Sequence, residues 1–549
     1  MQFCFCTGIA FLVFYAARQI LRYSGEVIFL AVMIFFALLT ENIVSGAESE
    51  GAVIASAGPR LGDVTVVEVL ISGRAELDEL ISGGYNISNV TGDTVTVYAT
   101  EEELSRLEGA GYEYRKVEPV VEETDVTALS YRDYAMVTSE LAGYAAAYPE
   151  ILRLYTLGQS VQGRELWAVL ITDNPDIEED EPEFKYVATM HGDESLGAEM
   201  CMYFIDMVLS DYNDANERIV GLVDNTAIWI VPVMNPDGLE LGSRYNANGY
   251  DLNRSFPIYP TDYTGDIFDG EPLGDLGRQP EVAHVMRWTA ANSFVLSANF
   301  HTGALVVNYP YDDDGLGSVD SPTPDDLLFE EISRIYSMYN LPMWNSSIFE
   351  DGITNGAAWY VVQGGMQDWN YRYISCNEVT MELSINSKPP ALQLPDYWDD
   401  NRESMLHFLE AVHIGVRGVI TNSVSSEPVW AEVMVEDNSH PVFTDPNVGD
   451  YYRMLLPGVY NLTFSAVGYV SRMVEDVTVI DGAVTRIDVE LSGADISGDG
   501  IVNFEDYATL SEHWGRSGCG DCGGAELTGD GNVGIDDLRG FVENWLIEL

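Results

Sequence analysis

The sequence predicts an α/β protein: a mixed-sheet domain flanked by a small N-terminal α/β module, a β-sandwich and a repeat of acidic loop–helix units. Three observations predict it. Across residues 127–411, short apolar β-rich runs alternate with helical stretches. From 412 to 492 the helical pattern stops, and β-rich runs alternate with turns. From 493 to 549, two acidic, glycine-containing segments repeat one another. A chain of 549 residues exceeds what one ordinary core holds, as this division requires.

Residues 1–47 are strongly apolar, with runs over 3–15 and 27–39. Arg18 and Arg22 precede the second run, and the small-residue stretch Val44-Ser45-Gly46-Ala47 follows it. The second run has the length of a signal-peptide core and is short for a membrane span. The expectation is an export signal, with a retained membrane anchor as the alternative. Residues 48–126 hold a small module with strands expected at 63–71 and 94–98, helices at 75–82 and 101–111, and an acidic link. This module is either a prosegment covering a site further on or an accessory domain.

Within 127–411, strands are expected at 185–190, 227–234, 294–300 and 378–383. Helices are expected at 131–148, 196–209, 280–292 and 325–339. Pro280 suits a helix start. Polar groups follow several of these strands, and open α/β sheets place their sites there. The composition excludes one class of partner. Acidic residues outnumber basic ones by 88 to 26, a formal charge of −62, which repels nucleic-acid phosphates. Of six cysteines, Cys519 and Cys522 form a CxxC pair that suits a small disulfide loop better than a metal.

His191 and Glu194 follow the 185–190 strand, and His301 follows the 294–300 strand. Two imidazoles and a carboxylate make three zinc ligands and leave a fourth position for water. Further on come Asn235-Pro236-Asp237-Gly238, Asp251-Leu252-Asn253-Arg254 and the run from Gly352 through Trp359-Tyr360 to Gly365-Met366-Gln367-Asp368-Trp369-Asn370-Tyr371. Together with His191-Gly192-Asp193-Glu194, these resemble the successive motifs of the funnelin-type zinc carboxypeptidases. The last run resembles the subfamily of carboxypeptidases N, E, M and D. The resemblance covers about 127–492.

The resemblance implies a role for each matching residue. His191, Glu194 and His301 are the zinc ligands, and Asp251 accepts the other ring N–H of His191. Glu382, in Thr380-Met381-Glu382-Leu383, is the general base toward the water activated at the metal. Arg244 stabilises the oxyanion, and Tyr360 closes over the bound terminus. Asn253 and Arg254 clamp the terminal carboxylate of the substrate. Asp312 and Gln367 line the pocket for the terminal side chain, which makes C-terminal Arg or Lys the expected target. Two departures stand out: Asp193 replaces the usual asparagine, and Ser255 follows Arg254.

Residues 412–492 resemble the transthyretin-like domain of the same subfamily, on Gly449-Asp450-Tyr451-Tyr452-Arg453 and Leu456-Pro457-Gly458. In 493–549, Asp495, Ser497, Asp499, Ile501 (by its carbonyl), Asn503 and Asp506 take calcium-loop positions, with Gly500 at the turn. A second loop offers Glu526, Thr528, Asp530, Asn532 and Asp537. Helices are expected after each loop, at 507–514 and 538–546. The two units resemble dockerin modules, which implies two structural Ca²⁺ ions and a cohesin-like partner; the N-terminal export signal implies a secreted or cell-surface location on a bacterium. Two other readings stand beside a basic-specific carboxypeptidase: a silent binding protein on the same fold, and a peptidase trimming cell-wall peptides whose diaminopimelate amine Asp312 could accept.

Overall fold

The computed structural model describes residues 64–117, 130–259, 278–423, 425–497, 501–518, 522–528 and 531–545. The expected leader, the link at 118–126, Cys519, Asp499 and Asp530 lie outside them. No described helix is long and apolar enough to cross a membrane.

The first module alternates β-branched strands with short helices: β1 (Val64–Leu70), α1 (Arg74–Ser82), β2 (Asn86–Thr91), β3 (Thr94–Thr100), α2 (Glu101–Ala110) and β4 (Tyr114–Lys116). Its sheet runs β2-β3-β1-β4, entirely antiparallel, so β2 is an edge strand. Thr100 begins α2 with a capping box that includes Glu103. A register shift between Ile87 and Asn89 leaves Ser88 unpaired in the β2–β3 ladder. Such a bulge bends an edge strand and re-aims its polar groups.

The large domain contains α3 (Tyr134–Ala147), β5 (Leu152–Gln159), β6 (Glu165–Ile171), β7 (Glu183–Ala188), α4 (Leu196–Asn213), α5 (Glu217–Val223), β8 (Ala227–Val231) and α6 (Pro236–Leu241). It continues with α7 (Pro280–Ala290), β9 (Phe294–His301), β10 (Leu305–Tyr309), α8 (Asp326–Ser337), α9 (Leu341–Trp344), β11 (Ile353–Asn355), α10 (Gly356–Trp359), α11 (Met366–Trp369), β12 (Asn377–Leu383) and α12 (Leu394–Glu410). These make an eight-stranded mixed sheet in the order β11-β10-β12-β9-β7-β8-β6-β5. The central run β12-β9-β7-β8 is parallel and almost wholly buried, so even its polar residues, among them Lys185, Asn299 and Glu378, lie inside. Tyr186, Phe204, Phe300 and Phe408 pack together beneath α4 and α12, each fully buried ring contributing about 1.5–3 kcal/mol.

The third domain is a sandwich of two sheets, β16-β13-β19 with β20 beside β13, and β15-β14-β17-β18. Its strands are β13 (Gly415–Asn422), β14 (Glu432–Val435), β15 (Val442–Phe443), β16 (Asp450–Arg453), β17 (Gly458–Ser465), β18 (Arg472–Val479), β19 (Val484–Arg486) and β20 (Val489–Leu491). The acidic units end in α13 (Phe504–His513) and α14 (Ile535–Glu543). Both helices start three residues before their expected positions, because Asn503 and Gly534 serve as the N-caps. Cys522 is disulfide-bonded.

Candidate active site

The parallel strands β7, β9 and β12 end side by side, and the site is built on those ends. Thr189, after β7, turns the chain with φ of 54°, a left-handed conformation that costs energy in a threonine and delivers His191 to the rim. Gly192 lies so close to α6 that a Cβ there would fall 2.0 Å from the Gly238 carbonyl carbon. That contact explains why the His191-Gly192 and Asn235-Pro236-Asp237-Gly238 motifs go together. On β9 and β12, His301 is the register partner of Glu382, which sets both side chains on one face.

His191 Nδ1 lies 3.0 Å from Glu194 Oε1 and 3.0 Å from His301 Nδ1. His301 Nδ1 in turn lies 3.0 Å from Glu194 Oε2. All three residues are buried, and among the described residues they are the one such group that could share a metal ion. Two ring nitrogens facing each other across a carboxylate leave unshared lone pairs pointing at one point. One divalent cation satisfies all of them, and two imidazoles plus a carboxylate suit zinc. Asp251 Oδ1 lies 2.9 Å from His191 Nε2 and fixes which nitrogen faces the centre. Burial alone would raise the Glu194 pKa, but His191 and His301 outweigh it and hold this carboxyl well below the usual range.

Glu382 is buried, and its Oε2 has no protein partner. Burial first, and then the Glu194 charge, push its pKa well above the ordinary glutamate value. Arg244 is also buried, and its guanidinium bridges Glu194 at 2.9 Å and Asp251 at 3.0 Å. Asn253 Oδ1 accepts from the Met366 amide at 3.0 Å, tying the Asp251–Arg254 turn to the segment that carries Gln367.

Asp312 is 3% exposed, whereas the neighbouring Asp314 faces solvent; Asp312 is therefore no ordinary loop acid. Its carboxylate accepts from Asn308 at 3.2 Å. A Cβ on Gly356 would fall 2.0 Å from Asp312 Oδ1, so only glycine leaves room for this carboxylate. Burial first, and then Asp368, raise the Asp312 pKa well above normal. Gln367 and Thr380 are buried nearby, and Gln367 Oε1 has no protein partner. Asn308, Thr380 and Asp368 were given no pocket role from the sequence; no spacing rule marks a polar residue inside a strand, such as Asn308 or Thr380, as a pocket wall.

The N-terminal module sits on this cleft. Arg254 Nη2 donates to the Ile87 carbonyl at 3.0 Å, and the Tyr360 hydroxyl donates to the Ser88 carbonyl at 3.2 Å. Asn86 Nδ2 donates to Asp251 Oδ2 at 3.0 Å, and Trp359 Nε1 to the Val90 carbonyl at 2.9 Å. The Tyr98 hydroxyl donates to Asp193 at 2.8 Å. Val306, Trp359, Tyr360 and Val362 belong to the same apolar cluster as the module's own Val67, Ile87 and Val97. The cavity left among Ser88, the three metal-site residues, Arg254, Asp312 and Glu382 has a volume of about 20 Å³. That holds a water molecule or so and is far short of an arginine side chain.

In the acidic units, Asp506 accepts the Ser497 and Asn503 amides, each at 2.7 Å. Asp537 accepts the Leu527 amide at 2.7 Å and the Gly534 amide at 2.6 Å. Both acids are buried and tie their loops into turns. Asp495 accepts from the Ser497 hydroxyl at 3.2 Å, the Ile501 carbonyl from Asn503 at 2.9 Å, and Glu526 from the Thr528 hydroxyl at 3.4 Å.

Comparison with known proteins identifies the family. Residues 137–404 match the family model "Zinc carboxypeptidase", and residues 415–492 match "Carboxypeptidase regulatory-like domain". The human carboxypeptidase N catalytic chain is 41% identical over 353 residues, covering 58% of this chain and 77% of that one. The chain belongs to the zinc carboxypeptidase family. Human carboxypeptidase D is 37% identical over 449 residues, 77% of this chain, and this chain spans only 31% of its length. The solved carboxypeptidase A of Helicoverpa armigera has the same fold, with a TM-score of 0.50 at 18% identity, covering 63% of this chain and 96% of that one. Within the family's frame, the eight-stranded sheet carries the His191, Glu194 and His301 group at the ends of its parallel strands.

Proposed function

We propose that this chain is a zinc metallocarboxypeptidase that removes C-terminal arginine and lysine from peptides and is held latent by residues 64–117. The buried, cation-seeking Asp312 carboxylate carries the specificity reading, because a guanidinium or ammonium is what such a group pairs with. Zinc, when bound by His191, Glu194 and His301, supplies a Lewis acid that polarises the scissile carbonyl and acidifies water. The chain's own groups do the rest. Arg254 takes the substrate's terminal carboxylate in a two-point grip, which restricts attack to the last peptide bond. Asn253 holds the turn that presents Arg254, and Tyr360 closes over the terminus. Arg244 brings positive charge to the wall where the carbonyl oxygen becomes negative. Glu382 takes a proton from the attacking water at its carboxylate and passes it to the leaving amine.

Release of C-terminal Arg, Lys, Met and Glu from matched peptides by the chain cut at its link tests this, with a chelator and zinc restoration as controls. Chelator-sensitive release of Arg and Lys above the others is expected. Preference for Met would sink the Asp312 reading and keep the chemistry.

The Ile87 carbonyl on Arg254 supports latency, since it occupies the group that must receive the substrate terminus. A protease site inserted in the link at 118–126 tests it. Cutting there is expected to raise kcat/KM by more than tenfold; unchanged activity would make the module an accessory. The apolar leader and the disulfide-bonded Cys522 support export from a bacterial cell. The spacing of Asp495, Ser497, Asp499, Ile501, Asn503 and Asp506, and of Glu526, Thr528, Asp530, Asn532 and Asp537, supports two calcium loops and docking to a cohesin-like partner. Titration with Ca²⁺ that leaves the chain's melting temperature unmoved would remove the calcium reading.

A further inference from the structure

Asp312 is held by the segment that follows it in space rather than in sequence. Residues Met366–Ile374 form one continuous helical stretch that carries Gln367, Asp368, Tyr371 and Arg372. The Asp368 carboxylate accepts the amides of Asp312 at 2.8 Å and Asp313 at 3.2 Å. The Tyr311 ring, one residue before Asp312, lies 5.7 Å from the Tyr371 ring and carries the Arg372 guanidinium at 3.5 Å. The position of this segment therefore decides where the pocket's acid sits.

The segment in turn is gripped from the β-sandwich. The Tyr371 hydroxyl donates to Asp325 Oδ2 at 2.8 Å. Arg453, the last residue of β16, reaches the same carboxylate with both terminal nitrogens, at 2.7 and 3.1 Å. Asn438 of the sandwich donates to Asp325 at 2.7 Å, and its neighbour His440 stacks on Tyr371 with ring centres 3.9 Å apart. Arg453 and Tyr371 are fully buried. Three side chains of one domain thus converge on two residues of another. A buried guanidinium is a costly way to hold two domains together, and apolar contacts serve that purpose as well. What the ion pair adds is a fixed geometry, since two parallel hydrogen bonds set direction as well as distance.

We propose that the β-sandwich domain sets the shape of the specificity pocket, with Arg453 and His440 as positioning residues that act on Asp312 through Asp325 and Tyr371. This rests on the reading of Asp312 as the pocket acid. It gives the appended domain a part in choosing the substrate while it touches no substrate itself.

The test is a ratio: kcat/KM for a peptide ending in Arg over that for the same peptide ending in Met. It is measured on the full-length chain cut at the link, so that any masking affects both substrates alike. The wild-type ratio tests the Asp312 reading; a ratio near one removes that reading and this inference with it. Given a high wild-type ratio, Arg453→Met combined with Asp325→Leu deletes both charges together and leaves none buried alone. The expected result is a fall in the ratio of about tenfold, carried by KM for the Arg peptide, with the Met peptide cleaved as before. An equal loss on both peptides, or no loss, overturns the inference. Tyr371→Phe keeps the ring and drops only the hydrogen bond to Asp325, so it serves if the double variant fails to fold. It is expected to lower the ratio less, and an unchanged ratio overturns the inference again.

Discussion

Two carboxylates of one cleft are given opposite tasks by their surroundings. Glu194 is drawn to the charged state by the imidazoles around it, while Glu382 is pushed toward the neutral state by burial and by Glu194. Glu382→Gln is therefore expected to keep the metal, measured by elemental analysis, and to lose kcat/KM by roughly 10²–10⁴-fold. Asp312→Asn removes a charge but keeps the shape, and is expected to cut kcat/KM for Arg peptides by roughly 10–100-fold with little effect on Met peptides. At this scale the sequence was most legible where chemistry needs a rare residue type: His191, His301 and Glu382 follow or end apolar strands and have no other reason to be there. It was least legible where a common polar residue becomes special only through its neighbours. Asn308 and Asp368 matter because Asp312 packs against them, and nothing in their own spacing says so.

At the scale of elements, the buried parallel strands could be read directly, since β7, β8, β9 and β12 are β-rich runs too short for helices, with apolar residues interleaved by buried polar ones in β7 and β12. Their edges were harder. The antiparallel β5–β6 pair and the short β11 were not anticipated; β5 and β11 are half-exposed strands of mixed polarity that resemble loops, whereas β6 is a largely buried apolar run whose pattern suits a strand. The expected strand at 63–71 and the helices at 75–82 and 101–111 correspond to β1, α1 and α2, but what the module does depends on its edge strand, β2. That strand contains Asn86, Ser88 and Asn89, residues that favour turns, and its bulge turns two adjacent carbonyls toward Arg254 and Tyr360. Tyr98→Phe removes the hydrogen bond to Asp193 from the same interface. It is expected to raise the basal activity of the uncut chain a few-fold, read as peptide hydrolysis before and after cutting the link, with the cut enzymes alike.

For the whole molecule, the charge of −62 is not spread evenly over solvent. Part of it is folded into the contact between the large domain and the sandwich. Asp450 is buried there, and burial first, then Asp445 and Asp180, push its pKa up to about 8, against a lowering hydrogen bond with Tyr452. A folded value above the unfolded one, near 3.9, means that the folded state holds the proton more tightly. Its contribution to stability is full below about pH 4 and is lost as pH rises toward 8. Asp450→Asn is expected to raise the melting temperature at pH 8 and to leave it unchanged at pH 4, as thermal unfolding at the two pH values would register. The patterning along the chain suggests its division, but not the contacts between its parts: Arg453 and Asp325 lie 128 positions apart, and either alone reads as a surface charge.

In the latent form proposed above, the group that fills the carboxylate clamp is a backbone carbonyl, a neutral dipole where a substrate brings a full negative charge. Contact for contact, Ile87 is the weaker ligand for Arg254. What lets it compete is tethering: a segment joined to the same chain is present at an effective concentration that free peptides seldom reach. Once the tether is cut and the module can diffuse away, that advantage disappears, and the charge of an ordinary C-terminus is enough to keep the module from returning.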